Sequence, residues 1–120
     1  MADWFLEMLV NIADKTEVGV PVTLQVGGTL VSGTLASGKA YFEGIASLPF
    51  RKGEIEDELR KAFTDAGDAI PTSDEPPRYV HLRDAHIFST NGTIPTHAGV
   101  WWRGRLSEVA GFWIGGLSKG

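Results

Sequence analysis

The stretch of sequence that decides the fold is VGVPVTLQVGGTLVSGTLA, residues 18–36. From Val18 to Val26 apolar residues alternate with smaller or polar ones, and this period of two is typical of a β-strand with one buried face. Gly27-Gly28 follows, and two glycines between strand-like runs favour a type I′ hairpin turn, which requires a positive φ at both central positions. Residues 18–36 are therefore predicted to form an antiparallel β-hairpin.

Two residues within this hairpin indicate local irregularity. Pro21 has no amide hydrogen to give to a neighbouring strand, so we expect a free edge or a bulge in the first strand. Gly33 lies in the middle of the second strand, where a missing side chain commonly marks sharp curvature or the close approach of another backbone.

Helical periodicity appears on both sides of the hairpin. Residues 1–16 are predicted to form an N-terminal helix capped by Asp3, because apolar residues there recur every three or four positions. The predicted inward-facing positions are Phe5, Leu6, Leu9, Ile12 and Ala13. Residues 39–66 form a predicted helical insertion of two short helices, separated at residues 50–53. Residues 67–77 contain three prolines and three acidic residues and are predicted to be an exposed loop.

The last third of the chain, residues 79–117, is predicted to be a three-stranded β region. Its predicted strands are Tyr79–Ser89, Val100–Leu106 and Phe112–Leu117, with a turn near residues 108–111 before the last. The hairpin and these strands make five. We therefore expect an α+β, mainly β fold: a small antiparallel barrel of five strands, since closure removes the exposed edges of an open sheet.

Composition limits the class of protein. At 120 residues and 42% hydrophobic content, the chain is expected to be a single folded domain, residues 1–120. It contains no cysteine, which excludes disulfides and thiolate metal sites, and no apolar run reaches the length of about 18 residues that a membrane span needs. With an acidic start and no signal peptide, the expected location is the cytoplasm. The net charge of -4 argues against broad attraction to nucleic acid.

Two patterns in the sequence resemble sites of chemistry. Residues 33–39 match the glycine and lysine positions of a phosphate-binding loop, but Ala40 stands where such loops need Ser or Thr to hold Mg²⁺. His81, Asp84 and His86 lie on one short strand, yet strand alternation places His81 on the opposite face from the other two. We therefore predict no catalytic residues, no cofactor-binding residues, no metal site and no enzyme activity.

The most distinctive cluster is Trp101-Trp102-Arg103-Gly104-Arg105, residues 101–105. Neighbouring strand residues face opposite sides, so Trp102 is predicted to face the core while Trp101, Arg103 and Arg105 form an aromatic and basic stripe on the other face. Because tryptophan and arginine are enriched in interface hot spots, the predicted interaction residues are Trp101, Arg103, Arg105 and Trp113. The alternatives are cation–π packing on a solvated sheet, or stacking of single-stranded nucleic acid.

Two longer stretches carry a resemblance to a known family: residues 22–35, VTLQVGGTLVSGTL, and residues 100–115, VWWRGRLSEVAGFWIG. With Tyr41-Phe42 and residues 80–88, they resemble the gas vesicle accessory protein U (GvpU) family. The resemblance implies a minor accessory protein of gas vesicle formation that influences vesicle assembly or clustering, with no enzyme activity, no cofactor and no established functional residues. More distantly, Gly33 and Arg103-Gly104 resemble positions of the Sm-like barrel of RNA-binding ring proteins.

Three functions follow as expectations. The first is a non-enzymatic accessory protein, associated with gas vesicles, that contacts gas vesicle proteins or another copy of itself through exposed aromatic surface and so forms a homo-oligomer. The second is an Sm-like nucleic-acid-binding protein, whose affinity would fall steeply with salt. The third is an enzyme, which would need a histidine and a carboxylate within hydrogen-bond reach in a pocket.

Overall fold

The computed structural model describes residues 3–49, 54–69 and 76–117. Within these ranges the chain has an α+β fold of three α-helices and one antiparallel sheet of six strands. The helices are α1 (Trp4–Thr16), α2 (Gly38–Ala46) and α3 (Glu54–Ala69). The strands are β1 (Pro21–Val26), β2 (Thr29–Ala36), β3 (Tyr79–Ser89), β4 (Gly92–Ile94), β5 (Val100–Arg105) and β6 (Val109–Ile114).

The prediction of five strands was wrong because β3 bends and pairs with two strands along one edge. Asp84 has a φ of +52°, and the pairing register shifts between Leu82 and Ala85. The first half of β3 pairs with β5, whereas its last residues pair with β4, which begins at Gly92 after a turn at residues 90–91. The region predicted to hold three strands therefore holds four.

A closed barrel is not confirmed. The strand order is β4-β3-β2-β1-β6, with β5 attached to β3. Among the described residues β5 pairs with β3 alone and β6 with β1 alone, so the sheet is open. A 3₁₀ turn at Leu106–Glu108 carries the chain from one edge to the other. Because this turn comes earlier than the predicted one, β6 begins at Val109 rather than at Phe112 and ends at Ile114.

The hairpin of β1 and β2 is confirmed, with three corrections. β1 begins at Pro21 rather than at Val18, which is exposed. Gly27 has a φ of +59°, but Gly28 is not in the left-handed region, so the turn is not type I′. β1 pairs with β2 on one side and β6 on the other, so it is an inner strand. Pro21 is accommodated because it is the first residue of that strand, not because the strand has a free edge.

Gly33 lies where β3 approaches β2 most closely. A Cβ atom at this position would lie 3.0 Å from the Arg83 carbonyl oxygen and 3.1 Å from the Ala85 Cα. The β2–β3 register also shifts between Ser32 and Thr34. The predicted close approach of another backbone is therefore confirmed, and it coincides with the bend of β3.

The core lies between α1 and one face of the sheet. Asp3 begins α1, and its Oδ1 accepts hydrogen bonds from the Phe5 and Leu6 amides at 2.8 and 3.2 Å. The buried residues of α1 are Leu6, Val10 and Ala13. They pack against buried aliphatic side chains of four strands, among them Leu24, Val31, Leu35, Val80 and Leu82. Each fully buried side chain of this size contributes about 2 kcal/mol through removal of apolar surface from water.

Helix α2 lies over the other face of the sheet, against β3 and β5, and α3 packs on α2. Ser37 caps α2, because its Oγ accepts a hydrogen bond from the Ala40 amide at 2.9 Å. Asp14 Oδ1 accepts a hydrogen bond from the Gly38 amide at 2.8 Å and so ties α1 to the start of α2. Burial raises the pKa of the Asp14 carboxyl, and the bond from Gly38 opposes that rise. Lys39 Nζ lies 3.9 Å from Oδ1 of Asp68 in α3.

The predicted insertion of two helices between β2 and β3 is present, but the second helix ends later than predicted. α3 continues to Ala69, three residues into the predicted loop. The predicted separation at residues 50–53 and residues 70–75 of the predicted loop lie outside the described residues.

Two buried hydroxyl groups hold the end of the described chain against the sheet. Thr23 Oγ1 donates to the Gly115 carbonyl at 2.9 Å and lies 3.3 Å from Ser32 Oγ. Ser32 Oγ accepts a hydrogen bond from the Leu117 amide at 2.8 Å. Thr23 and Ser32 alternate with the core residues Leu24 and Val31, so their hydroxyls lie on the other face of the sheet, where they bind the backbone segment that follows β6.

Candidate functional site

The two adjacent tryptophans of β5 face opposite sides of the sheet, as predicted. Trp102 packs against the core, and Trp101 lies on the face that α2 covers. Both side chains are half-buried. A Cβ atom added at Gly44 of α2 would overlap the Trp101 ring, so glycine is the residue that lets the helix approach so closely. Trp101 is therefore packed beneath α2 rather than on an open, solvated sheet face.

Trp101 belongs to an aromatic–arginine cluster, which consists of Tyr41, Phe42, Tyr79, His81, Trp101 and Arg103. The Arg103 guanidinium lies 3.8 Å from the Tyr79 ring centroid and 5.5 Å from that of Phe42. Both distances are within the range of cation–π attraction. Arg103 is exposed, but its guanidinium contacts the Tyr79 and Phe42 rings. The cluster joins α2 to the paired strands β3 and β5.

His81 is the buried titratable residue of this cluster. Burial and, secondarily, the Arg103 charge lower its pKa to about 4. Arg103 Nε donates to His81 Nε2 at 3.2 Å, which places the imidazole hydrogen on Nδ1. That Nδ1 has no hydrogen-bond partner among the described residues. The side chain is thus a neutral, packed imidazole at neutral pH.

The other two titratable residues of β3 fasten a loop. Asp84 Oδ1 accepts a hydrogen bond from the Gly99 amide at 3.0 Å. His86 Nε2 donates to the His97 carbonyl at 2.6 Å. Both partners lie in the connection from β4 to β5, so these side chains hold that connection against the bend of β3. In the part of the chain that the structure describes, no three His, Asp or Glu side chains are grouped to hold a metal ion.

The stretch resembling a phosphate-binding loop is divided between two structural roles. Gly33 lies inside β2 at the close approach described above, and the Ser37 hydroxyl caps α2. Lys39 Nζ lies 4.0 Å from Glu43 Oε1 and 3.9 Å from Asp68 Oδ1, so its charge is paired with carboxylates. The three residues do not form one loop that could cradle a phosphate.

An exposed apolar stripe on α1 was missed by the sequence interpretation. Trp4 is 75% exposed, and Met8 and Ile12 are 42% and 43% exposed. Phe5 and Ile12 had been predicted to face the core, but the packed face of the helix is centred on Leu6 and its neighbours. The signal was present in the spacing of Trp4, Met8 and Ile12, which recur every four residues and so line one side of the helix.

This stripe adjoins the edge strand β6. The Phe5 ring lies 5.7 Å from the ring of Phe112, and Ile114 is 55% exposed. Trp113 projects from the other face of β6 and is 45% exposed. We call the α1 side of this region the helix–edge surface. It consists of Trp4, Phe5, Met8, Ile12, Phe112 and Ile114.

The four predicted interaction residues lie in different surroundings. Trp101 and Arg103 belong to the aromatic–arginine cluster, Arg105 is exposed at the end of β5, and Trp113 lies on β6 at the other end of the strand order. Alternation along a strand placed the first three on one face, but it could not show that α2 covers part of that face.

Together these features define a small α+β protein with helices on both sheet faces and an exposed apolar surface at one edge. None of the described helices is long and apolar enough to cross a membrane. The family model of GvpU-like gas vesicle proteins matches residues 3–117. The chain therefore belongs to the GvpU-like family of gas vesicle proteins, which confirms the resemblance seen in the sequence. Searches of curated proteins and of solved structures found no match.

Proposed function

We propose that the protein is a non-enzymatic gas vesicle accessory protein that acts through protein contacts in vesicle assembly or clustering. Its place is the cytoplasm, at the vesicle surface, and its partners are gas vesicle proteins and further copies of itself. Membership of the family supports the vesicle role. The observation that supports the contact mechanism is the helix–edge surface, where apolar side chains of α1 adjoin β6, whose outer edge pairs with no other strand among the described residues.

Physical reasons favour this surface as a contact. Trp4 and Ile114 are more than half exposed, so burying them against a partner removes apolar area from water at about 25 cal/mol per Å². Edge strands also present backbone groups that can pair with another chain. We propose Trp113 and Arg105 as additional contact residues, and Trp101 and Arg103 as residues that contribute to the contact by holding α2 in place.

The test is flotation with purified gas vesicles. Vesicles rise during centrifugation and carry bound protein with them, so the floated fraction measures binding directly. The variant Met8→Gln with Ile114→Thr should lose about tenfold in affinity, the usual scale for removing interface anchors. The matched control is Ile94→Gln on β4, because Ile94 is 67% exposed but lies away from the helix–edge surface. Circular dichroism checks that each variant is folded.

The salt dependence of binding distinguishes this function from nucleic-acid binding. A contact made by apolar side chains should change little between about 50 mM and about 300 mM salt, whereas phosphate contacts weaken steeply over that range. Equal flotation of the folded double variant and the wild type would remove the helix–edge surface from the mechanism. Single Trp113→Ala and Arg105→Ala variants test the two additional contacts, and light scattering of the free protein tests self-association.

A further inference from the structure

A cleft of about 390 Å³ opens where β3 begins and β5 ends. Its lining residues are Pro77, Arg78, Tyr79, Arg105, Leu106 and Ser107. A volume of this size is within the range of about 300–1,000 Å³ that holds small ligands or a few side chains of a peptide. The cleft shares no lining residue with the helix–edge surface, so it is a separate candidate site.

The walls of the cleft are held in place by the backbone. Tyr79 and Arg105 are paired residues of the β3–β5 ladder. The Leu106 amide donates to the Arg78 carbonyl at 2.9 Å, which fixes the two chain segments immediately outside the ladder. Backbone hydrogen bonds therefore fix the two segments that carry Arg78 and Arg105, and both residues line the cleft.

The two arginines of the cleft, Arg78 and Arg105, are in no ion pair within the described residues, whose ion pairs involve Lys39 and Arg60. Arg103, a third cation, lies over Tyr79 at the same corner. Because the whole chain carries a net charge of -4, this is a local concentration of positive charge on an acidic protein. An anion in the cleft would relieve the repulsion between the guanidinium groups.

The surroundings favour carboxylates over a nucleic acid. A guanidinium binds a carboxylate through two parallel hydrogen bonds, so two free arginines match two acidic side chains. Nucleic-acid binding needs several phosphate contacts and open aromatic faces on which bases stack. In this cleft two arginines are without an ion-pair partner among the described residues, and one face of the Tyr79 ring is taken by Arg103. The Ser107 hydroxyl and the buried Leu106 side chain add one polar and one apolar element to the lining.

We propose that this cleft binds acidic side chains of a partner protein, with Arg78 and Arg105 each holding one carboxylate. The proposal rests on the proposed function insofar as the partner is a protein. Its test uses a free peptide, so its outcome does not depend on the flotation experiment.

The experiment follows the arginine Nε–H signals of the ¹⁵N-labelled full chain by NMR. The probe is a tetraglutamate peptide blocked at both ends, and the controls are blocked tetraglutamine and inorganic phosphate. Tetraglutamate should shift the Arg78 and Arg105 signals with saturation in the millimolar range, and raising salt from about 50 mM to about 300 mM should weaken binding severalfold through screening. Tetraglutamine should produce no shift.

A variant comparison localises the effect. Arg78→Gln with Arg105→Gln should abolish the response to tetraglutamate, whereas Arg83→Gln, at an exposed arginine of β3 that does not line the cleft, should retain it. If tetraglutamate leaves the two wild-type arginine signals unchanged, or if tetraglutamine shifts them equally, the proposal is wrong. Tighter binding of inorganic phosphate than of tetraglutamate at the same residues would also overturn the assignment to carboxylates.

Discussion

Replacing Gly44 with alanine tests whether α2 is seated on Trp101. In an exposed helix this change would be stabilising, because alanine is a better helix former than glycine by about 0.5–1 kcal/mol. Here the added Cβ would overlap the indole ring, and all three of its nearest neighbours are Trp101 ring atoms. A rigid aromatic ring between a helix and a sheet cannot yield as the end of a flexible side chain does.

The expected magnitude follows from these two opposing effects. Overpacking of this kind costs about 1–3 kcal/mol, which exceeds the gain in helix propensity. We therefore expect Gly44→Ala to lower the free energy of unfolding by about 1–2 kcal/mol. In a Trp101→Ala background the overlap is gone, so the same substitution should raise the free energy of unfolding by up to about 1 kcal/mol. The coupling between the two positions is then about 2–3 kcal/mol.

The measurement is urea unfolding of the four proteins of this double-mutant cycle. Far-UV circular dichroism is the appropriate signal, because tryptophan fluorescence would change with Trp101 itself. Gly111→Ala serves as a control for adding a methyl group to a glycine, since its Cβ would meet Gln25 Oε1 at an ordinary 3.6 Å. A Gly44→Ala protein that is more stable than the wild type, with no coupling to position 101, would refute the docking of α2 on β5.

Three further outcomes are expected. His81 has a folded-state pKa of about 4 against an ordinary 6.5. Between these pH values the unfolded chain therefore binds the proton more readily than the folded protein does. The stability that the neutral His81 contributes is fully present above about pH 6.5, and the free energy of unfolding falls by about 2 kcal/mol by pH 5. Urea unfolding at both pH values should show this loss in the wild type and a smaller one in His81→Gln. Ser37→Ala removes the cap of α2 and should lower the free energy of unfolding by about 1 kcal/mol in the same assay. Thr23→Val removes a buried hydroxyl while keeping the shape of the side chain, and hydrogen exchange should then show faster exchange in residues 115–117, with β1 itself unchanged.

Local patterns predicted the hairpin, the helices and the strand character of the last third of the chain, because each depends on the spacing of neighbouring residues. Asp3 was correctly placed as the cap of α1. The fourth strand of the last third was missed because β4 has only three residues and depends on the bend at Asp84. Aspartate is enriched at positive φ, but most aspartates do not adopt it, so one aspartate in a single sequence gives little signal for such a bend.

The candidate sites were less predictable. Sequence spacing correctly divided Trp101 and Trp102 between two faces, but Gly44, which brings α2 over one of them, lies more than fifty positions earlier in the chain. The cleft between Arg78 and Arg105 was not foreseen at all. It depends on a ladder between two strands that are distant in sequence, and no short-range pattern records such a pairing.

The amino-acid sequence by itself determined the class of fold, the main helices and strands and membership of the GvpU-like family, since periodicity and motif spacing are properties of short segments. The tertiary structure alone decided which faces remain open. Periodicity shows which side chains project together, whereas their exposure depends on what packs against them. Phe5 meets Phe112 and Gly44 meets Trp101 only after the chain has folded.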